Sequence, residues 1–112
     1  MSAITTHVLD TSLGAPVSGL SVSLAVLEAG VFRELGRAVT DADGRVKHWP
    51  GAATFSSGVY RLSFETGAHY ASLERASFYE RVEIQFRVID AGQHYHVPLL
   101  LSPFGYSTYR GS

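Results

Sequence analysis

The chain has 112 residues, of which 46% are hydrophobic and 17% charged, and its formal net charge is −1. This length suits one domain, residues 1–112, and the composition is that of a globular protein rather than a disordered one. The lack of a basic excess argues against nucleic acid or an anionic membrane as a partner, and without cysteine neither a disulfide nor a thiolate site is possible.

The apolar stretches of the chain are short. The longest is about five residues around Leu99, whereas a membrane-spanning helix needs about 20. The first residues, MSAITTHV, lack the basic start and apolar run of a signal peptide. We therefore expect no membrane span and no signal peptide, and we expect the protein in the cytoplasm.

Alternation of apolar and polar residues, which is typical of half-buried strands, recurs along the chain. In the first such stretch, 4–10, Ile4, Thr6 and Val8 share the face expected to meet the core, so His7 lies on the opposite face. Further strands, each bounded by turn residues, are predicted at 20–26, 31–40, 45–49, 59–66, 82–88, 94–101 and 105–109.

One segment, 67–76 (GAHYASLERA), has weak helical character and is expected to form about one or two turns. Short strands separated by turn signals, with one brief helix, predict an all-β sandwich of Greek-key type. Helix-rich and doubly wound folds would need longer amphipathic stretches, which the sequence lacks.

Polar side chains able to do chemistry stand out at two further places. Arg45 directly follows the turn sequence 41–44 (DADG) and so lies at the mouth of a strand. In 94–112, HYHVPLLLSPFGYSTYRGS, His94 and His96 share the strand face opposite the one expected in the core. Imidazole titrates near pH 6.5, about the pH range of the cytoplasm, so these groups are suited to proton transfer.

The ending HYHVPLLLSPFGYSTYRGS, together with TTHVLDT at 5–11, resembles the 5-hydroxyisourate hydrolases, the transthyretin-related enzymes of purine breakdown. The resemblance covers essentially the whole chain. It implies a transthyretin-like (prealbumin-like) sandwich of two four-stranded sheets, with the helix after the fifth strand. It also implies hydrolysis of 5-hydroxyisourate in urate catabolism without a metal or other cofactor. The assembly it implies is a homotetramer with active sites at the dimer-dimer interface.

The same resemblance assigns site residues. His7, Arg45 and His96 match the catalytic positions of the family, and His94 is the rival to His96 in the second motif. Which histidine is the general base stays open, as does the choice between substrate binding and oxyanion stabilisation for the arginine. The substrate cavity is expected to be lined by the last four residues, Tyr109, Arg110, Gly111 and Ser112, with the tyrosine closing a channel that transthyretin leaves open.

Other interpretations compete with this one. A non-enzymatic carrier of the transthyretin type would bind a hydrophobic small molecule without chemistry. His7, His94 and His96 could form a three-histidine zinc site, although a nearby arginine would oppose a dication. A structural or adhesion domain is disfavoured because the polar groups gather on one face. His48 and His69 are expected at the surface.

Overall fold

The computed structural model describes residues 3–51 and 54–112. Its elements are β1 (Ile4–Asp10), β2 (Ala15–Pro16), β3 (Ser21–Glu28), β4 (Val31–Val39), β5 (Arg45–Val46), β6 (Gly58–Phe64), α1 (Thr66–Ser72), β7 (Val82–Val88), β8 (Tyr95–Ser102) and β9 (Gly105–Thr108). One sheet has the order β2-β1-β8-β9, with β5 also paired to β1, and the other has the order β4-β3-β6-β7. The predicted all-β sandwich with one short helix is confirmed.

A single apolar core is formed by side chains from both sheets and from the helix. The inward faces of β1, β3, β6, β7 and β8 are those that the alternation predicts, because successive side chains of a strand point to opposite faces of a sheet. Burying one large aliphatic or aromatic side chain contributes about 1.5–3 kcal/mol. The largest fully buried side chains are Tyr60, Tyr70, Phe64, Ile4, Leu20, Leu24, Leu62, Leu99 and Leu101.

The parallel pairing of β1 with β8 brings the two ends of the chain together. In its register Thr5 lies opposite His96, and His7 lies opposite Pro98. Opposite residues on neighbouring strands point to the same face of the sheet. The polar residues of the first and last sequence motifs therefore share the outer face of this sheet.

Two short strands differ from the sequence expectation. β2 forms between the predicted strands 4–10 and 20–26, where no strand was predicted, and its two residues pair with Leu9 and Asp10. β5 ends at Val46 rather than near Trp49. Trp49 is only 3% exposed, and its indole N–H donates a 2.8 Å hydrogen bond to the Ile4 carbonyl oxygen. Because both short strands pair with β1, the first sheet has five strands instead of four.

The helix is held to the first sheet by a buried carboxylate. Asp10 is 2% exposed at the end of β1, and the Tyr70 hydroxyl donates a 2.9 Å hydrogen bond to its Oδ2. The backbone N–H groups of Ser12 and Leu13 donate to its Oδ1 at 2.8 and 3.2 Å. Burial alone would raise the pKa of Asp10, but hydrogen bonds led by those from Ser12 and Tyr70 outweigh it and hold that pKa below its usual value. The carboxylate thus ties β1 to α1 in its ionised form.

Candidate active site

A threonine hydroxyl bridges two imidazoles across the β1/β8 pair. Thr5 Oγ1 lies 2.8 Å from His96 Nδ1 and 2.9 Å from His94 Nε2. The two rings are stacked, with centroids 6.3 Å apart and planes inclined by 21°. Thr5 is 5% exposed, His96 is half-buried, and His94 is exposed. One buried hydroxyl thus links a half-buried imidazole to an imidazole that is exposed to solvent.

The turn before β5 places a guanidinium beside His7. His7 and Arg45 are opposite partners in the β1/β5 pair. Asp41 fixes this turn, because its Oδ1 accepts a 3.0 Å hydrogen bond from the Arg45 N–H. Gly44 has φ +77°, and a Cβ there would lie 2.5 Å from the Val8 carbonyl oxygen, so only glycine allows the close approach of the turn to β1.

Both half-buried imidazoles are biased toward the neutral form. Burial lowers the pKa of His96 below its usual 6.5, and the positive charge of Arg45 lowers it further. Burial, and then the charge of Arg45, also lower the pKa of His7. A hydrogen bond with the Asp43 backbone and the carboxylates of Asp41 and Asp43 raise it, but by less. A neutral imidazole carries a free lone pair near pH 7, so each ring is able to accept a proton.

His96, His94, Thr5 and Arg45 line a cavity of about 180 Å³ on the outer face of the first sheet, and His7 is not among its lining residues. Its two cations, Arg45 and Lys47, make it electropositive, which suits a small polar or anionic ligand. A neutral base beside fixed cations is the arrangement needed to activate water and to stabilise negative charge on an attacked carbonyl oxygen. The lining residues are Thr5, Thr6, Arg45, Lys47, His94, His96 and Ser112.

The last two residues lie against the histidine strand. The Gly111 N–H donates a 2.8 Å hydrogen bond to the His96 carbonyl oxygen. A Cβ on Gly111 would lie 2.6 Å from His96 Cδ2, so a larger residue would displace the ring or the chain end. Ser112 follows directly and reaches the cavity.

Tyr109 and Arg110 lie elsewhere. They line a second, more apolar cavity of about 490 Å³ between β7 and the β8/β9 pair. The Arg110 guanidinium stacks on the Tyr95 ring, 4.4 Å from its centroid, and donates to the Gln93 side chain at 3.1 Å. The four C-terminal residues predicted to bind substrate are thus divided within one chain, with Gly111 and Ser112 at the histidine cavity.

Sequence reasoning missed Thr5 and Lys47, and it considered His94 as a rival to His96 and as a ligand of a possible zinc site. The alternation had placed Thr5 on the same face as His7, but its importance follows from the parallel pairing with β8. Lys47 lies just beyond the observed end of β5 and lacked any motif. His48 is exposed as expected, whereas His69 is half-buried on α1 against the Tyr70 ring.

The alternative three-histidine zinc site is not formed in the part of the chain that the structure describes. Within 3–51 and 54–112, no group of three His, Cys, Asp or Glu side chains is placed to hold a metal ion. Across the same ranges, no helix has the length and hydropathy required to cross a membrane.

Comparison with known proteins gives a consistent result. Residues 4–111 match the model of the HIUase/Transthyretin family. The chain is 50% identical to 5-hydroxyisourate hydrolase 2 of Rhizobium meliloti, over 97% of this chain and 95% of that protein. Its fold matches the structure of Klebsiella pneumoniae 5-hydroxyisourate hydrolase with a TM-score of 0.85 and 42% identity, over 97% of this chain and 98% of that one.

A transthyretin is also similar. Sea bream transthyretin, solved in complex with thyroxine, matches with a TM-score of 0.89 at 31% identity, over 97% of this chain and 94% of that one. Fold likeness alone therefore does not separate the hydrolases from transthyretin, and the side chains of the site have to do so. The sequence motifs, the sandwich and the full-length family match agree that the chain belongs to the HIUase/Transthyretin family.

Proposed function

We propose that this chain hydrolyses 5-hydroxyisourate to 2-oxo-4-hydroxy-4-carboxy-5-ureidoimidazoline, a step of urate catabolism. The observation that carries the proposal is the meeting of His96, Arg45 and Lys47 around one cavity. A neutral base and two cations suit a polar, oxygen-rich heterocycle. The relatives named as 5-hydroxyisourate hydrolases at 42–50% identity support the same reaction.

In the proposed mechanism, water attacks a ring carbonyl carbon of the substrate. His96 takes a proton from the water molecule while the water oxygen bonds to the carbonyl carbon. The ring bond between this carbon and nitrogen then breaks as the nitrogen receives a proton. General-base assistance of this kind contributes about 10²- to 10⁴-fold. No activated serine or cysteine is needed, so water rather than the protein is the nucleophile.

Arg45 has two roles in this proposal. Its guanidinium offers paired N–H donors to imide or urea oxygens, which holds the substrate. Its charge also offsets the negative charge that develops on the attacked oxygen. His7, its partner across the β1/β5 pair, places a second imidazole beside the guanidinium and is the alternative general base. Ser112 completes the wall of the cavity, and Gly111 packs against His96. We keep all four C-terminal residues as substrate-binding residues, with Tyr109 and Arg110 supplied in the assembled protein.

The direct test is the decay of freshly prepared 5-hydroxyisourate, followed by ultraviolet absorbance with and without the protein. We expect the decay to accelerate in proportion to protein concentration and to saturate with substrate. Decay at the spontaneous rate at every protein concentration would overturn the proposal.

The carrier alternative rests on the likeness to a thyroxine-bound transthyretin and on the larger apolar cavity. A carrier would bind thyroxine without consuming 5-hydroxyisourate. Equilibrium binding of thyroxine, measured beside the absorbance assay, separates the two functions. We favour the hydrolase because a carrier has no need of titratable groups such as His94 and His96 joined by a buried hydroxyl.

We also propose a homotetramer with its active sites at the dimer-dimer interface. The histidine cavity is open on the outer face of one sheet, and a second copy placed over it would exclude water and strengthen the electrostatic interactions within it. Half-buried Leu9 and Leu100 lie on the same face. Apolar side chains grouped around a polar cavity are typical of a surface that meets a partner.

The net charge of the chain bears on which partners other than the substrate it could bind. The formal net charge of −1 disfavours nucleic acid and anionic membranes. We propose a cytoplasmic location, and cell fractionation with an antibody to the protein tests it.

A further inference from the structure

The Thr5 hydroxyl has one proton and two neighbours. A threonine hydroxyl donates one hydrogen bond and accepts others through its lone pairs. Both His96 Nδ1 and His94 Nε2 lie within hydrogen-bond distance of Thr5 Oγ1. Because the hydroxyl can donate to only one of the two ring nitrogens, at least one of the two neutral rings must present an N–H to it. The tautomers of the two imidazoles are therefore coupled through Thr5.

The surroundings of His96 select one of the two arrangements. Its Nδ1 faces Thr5, and its Cγ–Cδ2 edge lies against Gly111. Its Nε2 has no hydrogen-bond partner within residues 3–51 and 54–112. The ring lines a cavity that is also lined by the cations Arg45 and Lys47. A lone pair beside positive charge is more stable than an N–H there. Neutral His96 should thus carry its proton on Nδ1 and present a free Nε2 to the cavity.

We propose that Thr5 is a positioning residue that holds His96 in this tautomer and relays protons between His96 and His94. In the resting state His96 Nδ1–H donates to Thr5 Oγ1, and the Thr5 hydroxyl donates to His94 Nε2. This inference rests on the proposed hydrolase function. It adds a threonine and a second imidazole to the residues that govern the proton transfer.

The relay conserves protons at each step. When His96 Nε2 takes a proton from water, the Nδ1 proton passes to Thr5 Oγ1, and the hydroxyl proton passes to His94 Nε2. His94 is then the imidazolium, and His96 is neutral with its proton on Nε2. When that Nε2 proton is given to the departing ring nitrogen, the two transfers reverse and the resting state returns. Because His94 is exposed, water solvates the charge that it carries in this step.

Several charged or titratable groups face this relay from neighbouring elements. His7 and Arg45 approach His96 from β1 and β5, and Lys47 lies at the cavity rim beyond β5. Ser112 approaches from the C-terminal side. Arg45 disfavours an imidazolium at His96, and a charge on exposed His94 is better screened by water. On the side of His94, the Arg110 guanidinium donates a 3.3 Å hydrogen bond to the His94 carbonyl oxygen.

Three threonine variants separate a relay from simple packing. Thr5→Val removes the hydroxyl at constant shape, and we expect kcat to fall by at least about tenfold with KM little changed. Thr5→Ser keeps the hydroxyl and should restore kcat to within about threefold of the wild type. Thr11→Val, which removes a hydroxyl just beyond β1 outside the site, is the matched control and should leave kcat unchanged. Wild-type kcat in Thr5→Val, or failure of Thr5→Ser to restore it, overturns the proposal.

A double-mutant cycle tests whether Thr5 acts through His94. His94→Phe removes the end of the relay, and we expect it to lower kcat. The double variant Thr5→Val/His94→Phe should be no slower than Thr5→Val alone, because both changes interrupt the same path. If the fold-loss of kcat in the double variant equals the product of the fold-losses in the two single variants, the coupling is refuted.

Imidazole ¹⁵N NMR tests the tautomer without any substrate. Above pH 6.5, the usual pKa of histidine, the wild type should show His96 protonated on Nδ1 and unprotonated on Nε2. Thr5→Val should lose this preference and Thr5→Ser should keep it. A proton on His96 Nε2 in the wild type refutes the inference even if the protein is a hydrolase. If the protein does not accelerate 5-hydroxyisourate decay, the proposed function fails, and the spectrum still decides the tautomer.

Discussion

The Gly111 N–H donates a 2.8 Å hydrogen bond to the carbonyl oxygen of His96, which ties the C-terminal segment to the strand that carries the proposed base. The absence of a side chain makes this contact possible, since a Cβ on Gly111 would lie 2.6 Å from His96 Cδ2 and 3.2 Å from Pro98 Cγ. The same contact orients the imidazole and places Ser112 at the cavity.

Gly111→Ala should therefore impair hydrolysis without unfolding the protein. We expect kcat/KM to fall by at least about tenfold, because an error of about 1 Å in a reacting group costs large factors in rate. Steady-state kinetics and circular dichroism measure the two effects. Gly105→Ala is the matched control, since among residues 3–51 and 54–112 its Cβ would meet only Ser102 Oγ, at 3.7 Å. Equal activity of the two variants would contradict the role of the Gly111 contact.

Removal of the proposed catalytic side chains gives a second prediction. His7→Ala, Arg45→Ala and His96→Ala should each lower the hydrolysis rate by at least about tenfold, since each removes a proton acceptor or a stabilising charge. Circular dichroism should show an unchanged fold because these side chains lie outside the core. His48→Ala, at an exposed position outside the cavity, should retain the wild-type rate. Near-wild-type rates in all three site variants would refute the assignment.

The pH dependence gives a third prediction. Burial and then Arg45 lower the pKa of His96 below 6.5, so the acid limb of kcat/KM in the wild type should have its midpoint below pH 6.5. In Arg45→Gln the guanidinium is gone, the imidazolium is less disfavoured, and the midpoint should move to higher pH. Arg37→Gln, at an exposed arginine paired with Glu34, should keep the wild-type profile. An unchanged or lower midpoint in Arg45→Gln would rule out this electrostatic coupling.

A fourth prediction concerns stability rather than catalysis. Tyr70→Phe removes the hydroxyl that donates to buried Asp10, and we expect a loss of about 1–3 kcal/mol in the free energy of unfolding. Urea denaturation at neutral pH measures it. Tyr106→Phe is the control, since the Tyr106 hydroxyl has no hydrogen-bond partner among residues 3–51 and 54–112.

The loss of unfolding free energy in Tyr70→Phe should also depend on pH. The pKa of Asp10 in the folded protein lies below its usual 3.8, so the ionised carboxylate contributes stability above pH 3.8 and loses it as the pH falls through the lower folded value. The difference between wild type and Tyr70→Phe should therefore narrow in acid. A difference that is constant from neutral to strongly acidic pH would show that the hydroxyl stabilises by packing alone.

The proposed assembly gives a fifth prediction. Light scattering should give a mass of about four chains at working concentration, and activity per chain should fall when dilution dissociates the tetramer. Leu100→Glu, on the outer face beside the cavity, should weaken assembly and activity together. A monomer with full activity would exclude active sites that depend on the interface.

Elements with one buried and one solvated face could be predicted from the sequence. The bounds Ile4–Asp10 and Val82–Val88 match their alternating stretches because burial alternates along β7 and along β1, where buried Thr5 is the exception. β2 could not be predicted, since a two-residue strand exists only where its partner β1 is already in place. β5 was predicted too long because burial of the Trp49 indole against β1 redirects the chain.

The site was predictable only in part, for a related reason. Motifs pointed to His7, Arg45 and His96, but the Thr5 hydroxyl meets imidazoles 89 and 91 positions away. Local spacing carries no information about such a contact. It depends on which strands become neighbours and on their register, and a shift of one residue between β1 and β8 would turn Thr5 away from both rings.

The parallel pairing of β1 with β8 has a consequence for the order of events during biosynthesis. A nascent chain that has emerged from the ribosome up to β7 already holds His7 and Arg45 but none of the groups from β8, so it has no cavity and no relay. Because this contact closes a loop of nearly the entire polypeptide, it belongs to the slow, non-local part of folding. Activity should therefore appear only after the last strand has docked and the chains have assembled, so turnover of substrate reports completed folding and assembly together.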